Sequence, residues 1–184
     1  MNNYNQLPEN LPVPLDDGAA AHLPGLPLPD IALPSTQGGV VRLNQLTGKV
    51  VIYCYPMTGK PGTPLPEGWD QIPGARGCTP QSCAYRDHHQ QITGLGAVVF
   101  GLSSQTSEYQ REMAERLQLP FGVLSDTDFQ LQAALNLPTF QSSGVTLYKR
   151  LTLVLHDGLI KAVHYPIFPS DTDPDWVLKI LYRV

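Results

Sequence analysis

Two cysteines stand five residues apart, Cys78 and Cys83, in the run GCTPQSCAYRD over residues 77–87. Thr79 followed by Pro80 has the chemistry of a helix N-cap and first helical position, since proline lacks only an N–H that has no partner there. Cys78 then sits immediately before a helix start, where unpaired N–H groups and the positive end of the helix dipole favour thiolate over thiol. A thiolate that attacks a peroxide oxygen becomes a sulfenic acid, and a second thiol condenses with that species to a disulfide. Cys83 is placed for the second role. A free cysteine is often only a small buried hydrophobe, but the Gly-rich loop before Cys78 argues against that reading.

Helix geometry limits how the pair can react. Cα atoms five residues apart on a continuous helix are separated by about 8 to 9 Å, and a disulfide rarely tolerates more than about 7 Å. Closure therefore requires the helix start to unwind, which makes its first turns a low-stability, two-state segment. The chemistry also needs a donor for the departing oxygen, for which a fixed guanidinium is suited. Arg150 is the candidate, in an expected strand TLYKRLTLVLH over 146–156 among Leu147, Tyr148, Leu151 and Val154. An arginine with such neighbours is costly unless paired, and a strand-end salt bridge is the plainer alternative.

The positioning elements follow from periodicity. KVVIYCY, Lys49 to Tyr55, is a run of β-branched and aromatic residues ended by Pro56, which predicts a strand buried on both faces and central in a sheet. Residues 57–77 are dense in Gly and Pro and form a long loop insertion before the reactive helix. That helix carries Ala84, Tyr85, His88, Ile92 and Leu95 on one stripe. A strand over Ala97 to Ser103, a helix over Ser107 to Leu119 stopped by Pro120, a strand at 121–125 and a short helix near Phe129 to Leu135 come next. The 146–156 strand, a turn at Asp157 and Gly158, a strand over 159–165 and a last helix around Trp176 and Ile180 complete the chain. The expected class is α/β, a central mixed β-sheet flanked by helices. A hairpin near 31–43 precedes it, and Pro8, Pro12, Pro14 and Pro24 mark residues 1–26 as an extended N-terminal arm to a domain over 27–184.

Composition narrows the partners. Hydrophobic residues at 42% and charged residues at 15% of 184 exclude a disordered chain. A net charge of −4 with scattered Lys and Arg gives no basic stripe, so nucleic acid is not an expected partner. No apolar run reaches the roughly 18 to 20 residues of a membrane span, and MNNYNQLPEN lacks the basic and apolar regions of a signal peptide. A cytoplasmic protein without membrane contact is expected. Three cysteines are too few for a disulfide scaffold and suit a reducing compartment. Cys54, mid-strand, reads as a core residue. His88, five positions after Cys83, turns about 140° away on the helix, so a metal centre is not expected. Trp69 reads as an anchor for the insertion loop, and Glu112 and Arg116 as a weak surface pair.

The run GCTPQSCAYRD, together with VIYCYP upstream, FGVLSD at 121–126 and KRLTLVLHDGLI at 149–160, resembles the peroxiredoxins of the bacterioferritin comigratory protein or Q type. The likeness covers most of residues 27–183 in order. It implies a thioredoxin-like fold, Cys78 as the peroxidatic cysteine, Cys83 as the resolving cysteine of the same chain and Arg150 as the active-site arginine. Further implied are hydrogen peroxide and organic hydroperoxides as substrates and thioredoxin or a related dithiol as reductant. No metal or organic cofactor is implied, and the chain is expected to act as a monomer or weak homodimer. Members usually carry proline seven residues and threonine three residues before the peroxidatic cysteine, where this chain has Gln71 and Ala75. Pro56 and Thr58 stand before the long loop. Either that loop folds out and returns them, or backbone groups replace the hydroxyl. A non-catalytic redox sensor using the same cysteines is the alternative; Arg150 favours the peroxidase, because a sensor need not bind a leaving oxygen. A general disulfide oxidoreductase normally has C-x-x-C, which is absent.

Overall fold

A computed structural model describes residues 6–184, so the first five residues of the expected arm lie outside the described residues. The chain opens its regular structure with the hairpin β1 (Ala32–Pro34) and β2 (Val40–Arg42), then enters β3 (Lys49–Cys54). Side chains alternate across a strand, so Val50, Ile52 and Cys54 face one layer while Val51 and Tyr53 face the other. Every position of β3 after Lys49 is buried, as its composition predicts. After the insertion come α1 (Cys78–Gly94), β4 (Ala97–Ser103), α2 (Ser107–Arg116), β5 (Val123–Ser125) and α3 (Gln130–Leu135). Strands β6 (Thr139–Ser142), β7 (Val145–Tyr148), β8 (Leu151–His156) and β9 (Leu159–His164) lead to α4 (Asp173–Leu181).

The main sheet runs β5-β4-β3-β8-β9. β3 pairs in parallel with β4 and antiparallel with β8, which makes the sheet mixed and puts β3 at its centre. Helices α1, α2 and α4 cover one face through Tyr85, Ile92, Met113, Val177 and Leu181. The arm, the β1–β2 hairpin and α3 cover the other through Leu23, Leu33, Leu131 and Leu135. This is the thioredoxin-like α/β arrangement. Unpaired sheet edges invite association, and both are occupied here: Ile160 N–H donates to Leu26 O at 2.9 Å, and Thr36 N–H donates to Val123 O at 3.0 Å. The arm is thereby part of the core, with Ala20 and Leu23 buried.

Three expectations need correction. The strand over 146–156 is broken: β7 pairs only with β6 in a separate ribbon, and β8 joins the main sheet. Lys149 and Arg150 form the joint because Arg150 turns inward to polar partners that a continuous apolar face would deny it. Helix α1 starts at Cys78, not at a cap on Thr79, because Gly77 takes the N-cap with φ 110°. Cys78 is thus the first helical residue rather than the residue before the helix. Helix α2 stops at Arg116 rather than Leu119, ahead of the left-handed Gln118. Its Thr106 cap accepts from Tyr109 N–H at 3.2 Å, and the Glu112–Arg116 pair forms at 2.8 Å.

Candidate active site

Gly77 shows why the helix begins where it does. Its φ of 110° lies where side chains are strained, and a Cβ there would collide with Ser170 Oγ. The Gly77 carbonyl accepts from Ser170 Oγ at 2.8 Å and from Gln81 N–H at 3.0 Å, the second being the first hydrogen bond of α1. Cys78 is held in this first turn, only 4% exposed.

Arg150 meets it there. Its Nη2 donates to Cys78 Sγ at 3.2 Å, to Ala75 O at 3.1 Å and to Arg76 O at 3.3 Å, while Nη1 donates to Gln81 Oε1. The Nε–H is buried and has no partner among the described residues. Both terminal nitrogens of the guanidinium are thus tied to groups around the sulfur.

Cys83 lies on the same helix, half-buried, and among the described residues all three cysteines are free. Burial pushes the Cys83 thiol up; the Arg86 guanidinium pulls the other way, and the Asp87 carboxylate adds to the rise. The five-residue offset within continuous α1 keeps the two sulfurs on different sides of the helix. Structure therefore brings Cys78 and Arg150 together and leaves Cys83 apart. Cys54 is wholly enclosed in the sheet, where burial pushes its thiol far up.

The insertion roofs Cys78. Trp69 is buried against Ala75 and Leu147, with its ring 6.1 Å from that of Phe140. It anchors the loop, and with Met57, Gly59 and Leu65 it also walls a cleft of about 10 Å³ that reaches Cys78. That is room for about one water-sized molecule. The loop folds out and returns, bringing 57–59 beside the cysteine. The Thr58 hydroxyl is occupied, donating to Gln105 Oε1 at 3.2 Å, and the carbonyl of Ala75 lies 3.7 Å from Cys78 Sγ.

A second tier of residues gave no local signal in the sequence. Gln81 Nε2 donates to Asp173 Oδ2 at 2.8 Å; Tyr85 Oη and Thr152 Oγ1 donate to the same oxygen at 2.8 and 2.7 Å. His164 Nδ1 lies 2.8 Å from Oδ1 and its ring stacks on Trp176 at 4.5 Å. Tyr53 stacks on Tyr85 at 4.3 Å and donates to Ser82 at 3.0 Å. Gly101 makes room for that tyrosine, since a Cβ there would stand 2.8 Å from Tyr53 Oη.

Comparison with known proteins gives the family. The family model described as Redoxin matches residues 23–178. Peroxiredoxin Q, chloroplastic, of Sedum lineare is 32% identical over 155 residues, covering 83% of this chain and 74% of the relative; the Populus jackii protein of the same name is 30% identical, with 83% and 65% covered. Among solved structures, the peroxidoxin BcpB of Mycobacterium tuberculosis aligns with a TM-score of 0.71 at 25% identity, covering 89% of this chain and 99% of that one. Peroxiredoxin Q of Xanthomonas campestris shares the fold, with a TM-score of 0.67 at 19% identity and 93% and 96% covered. With a redoxin match across most of its length and relatives of one type, the chain belongs to the peroxiredoxins of the Q or bacterioferritin comigratory protein type, which are peroxide-reducing oxidoreductases.

Proposed function

We propose that Cys78 is the nucleophile, Arg150 the group that holds the peroxide, and Cys83 the thiol that resolves the product within the same chain. The single observation that carries this reading is the Arg150 Nη2 to Cys78 Sγ contact of 3.2 Å at the start of α1. The thiolate of Cys78 attacks one peroxide oxygen, the O–O bond breaks, and sulfur is oxidised by two electrons to a sulfenic acid while the peroxide is reduced to an alkoxide or hydroxide. A proton from solvent neutralises that leaving oxygen. Donors aimed at the developing charge lower the barrier, and the guanidinium that touches Cys78 Sγ is the candidate donor.

Cys83 then attacks the Cys78 sulfenic acid, water leaves, and an intrachain disulfide forms. Its half-buried position on a different side of α1 supports a step that follows unwinding of the first turns. A dithiol of the thioredoxin class returns both sulfurs to thiols and becomes a disulfide itself. We take the setting to be the reducing cytoplasm, with the chain acting as a monomer or weak homodimer because both thiols reside on one helix. The cleft holds little more than one water-sized molecule, so hydrogen peroxide requires a small shift of the loop around Leu65 and organic hydroperoxides a larger one.

Steady-state peroxide consumption with thioredoxin, thioredoxin reductase and NADPH tests the reading. Many turnovers per chain are expected, none by Cys78→Ser, and a single oxidation by Cys83→Ser. One stoichiometric oxidation of the unmodified chain without turnover favours a redox sensor instead.

A further inference from the structure

We propose that Asp173, the first residue of α4, is a positioning residue: acting through Gln81, it holds Arg150 against Cys78 and latches the start of α1 in its helical form. The proposal rests on the roles of Cys78, Cys83 and Arg150 given above and adds a control on both of their chemical steps.

A glutamine between two groups is constrained at both ends. Its carbonyl only accepts and its NH2 only donates. A guanidinium has donors alone, so Gln81 must turn Oε1 to Arg150, and its NH2 must then meet an acceptor. Asp173 supplies one. Gln81 and Asp173 are both wholly buried, so no solvent substitutes for either partner. An ionised carboxylate accepts at both oxygens and donates at neither, which suits three donors converging on Oδ2 and His164 on Oδ1. Its place in the first turn of α4 adds the favourable end of that helix's dipole. A chain of contacts thus runs Asp173, Gln81, Arg150, Cys78, each link fixing the orientation of the next.

The same link has a second consequence. Gln81 lies between the two cysteines in α1, and closing the disulfide requires residues 78–83 to leave helical geometry. Unwinding of these residues must break the Gln81 to Asp173 bond at 2.8 Å. Asp173 therefore favours the helical state, which oxidises, over the unwound state, which closes. Weakening it has opposite effects on the two steps: slower attack on peroxide and faster closure. A residue that merely supports the fold does not produce that pair of signs.

The test separates the steps. Rapid-quench intact mass follows the gain of one oxygen on Cys78 in a Cys83→Ser background, and the later loss of two hydrogens in chains that retain Cys83. With Asp173→Asn, an isostere without the charge, oxidation by hydrogen peroxide is expected to slow by about tenfold, from the worth of a buried hydrogen bond to a charged group. Closure is expected to quicken by about threefold or more, since the same lost bond favours the unwound state. In an Arg150→Ala background the Asp173→Asn change should slow oxidation little further, because the two act through one path. If circular dichroism shows that Asp173→Asn does not fold, Gln81→Leu cuts the chain one link nearer and the same two signs are expected of it. Unchanged oxidation, slowing of both steps together, or full additivity with Arg150→Ala overturns the proposal. An unmodified chain that does not gain oxygen at Cys78 overturns the peroxidase reading itself, which keeps the two failures distinct.

Discussion

Cys78 and Cys83 share one helix and little else. Around Cys78 every neighbour is tied: a guanidinium 3.2 Å from the sulfur, a glycine cap with no room for a side chain, and a carboxylate bound by four groups behind the guanidinium's partner. Cys83 is half-buried against the core beneath α1, where burial pushes its thiol up and Arg86 only partly offsets this. On the proposed reading, position on a helix does not by itself make a reactive thiol: residues from the β7–β8 joint, α4 and the loop before α1 converge on the helix's first turn around Cys78 and not around Cys83.

Removing the guanidinium should erase most of that contrast. Arg150→Ala is expected to slow oxidation of Cys78 by about a hundredfold, the usual cost of losing a donor to developing charge, measured by rapid quench with hydrogen peroxide. Arg150→Lys should recover part of it, since a point charge lacks the planar fork. Gly77→Ala attacks the cap: the strained φ and the collision with Ser170 Oγ should cost about 1 to 3 kcal/mol in denaturant unfolding. Cys83, inside α1, has no such cap beside it.

Trp69→Ala opens the front of the site without touching its back. It should raise the rate with cumene hydroperoxide relative to hydrogen peroxide by a few fold, seen in the ratio of their second-order rate constants, because the 10 Å³ cleft widens. The smallest effect concerns pH. Because burial raises the Cys83 thiol above its ordinary value of 9.0, the helical state is fully favoured below that value and loses ground as pH rises through the higher one. Disulfide closure should accelerate modestly above pH 9.0, followed by intact mass after a peroxide pulse.

Much of this was legible in the sequence where neighbours along the chain carry the signal. The apolar run at 49–55, the strand at 97–103 and the hairpin turn at Asp157 and Gly158 stand as their residue types predict. The failures share a cause. Thr79 and Pro80 have the local chemistry of a helix start, but Ser170, 93 residues away, fixes the cap at Gly77 instead. Strand 146–156 reads as continuous because Lys149 and Arg150 are only two polar residues in an apolar run; their break is set by partners at 75, 76 and 81. Strand β6, TFQS, is too short and mixed to announce itself. Asp173 has no motif at all: its partners come from α1, β8 and β9, and only folding assembles them.

Intact mass after one equivalent of hydrogen peroxide, on the fully reduced chain and on Cys78→Ser, examines the central claim most directly. The unmodified chain should lose the mass of two hydrogens, with fragment ions joining Cys78 to Cys83, and the variant should not change. A variant that consumes peroxide as fast as its parent, or a disulfide that excludes Cys78, would contradict the account.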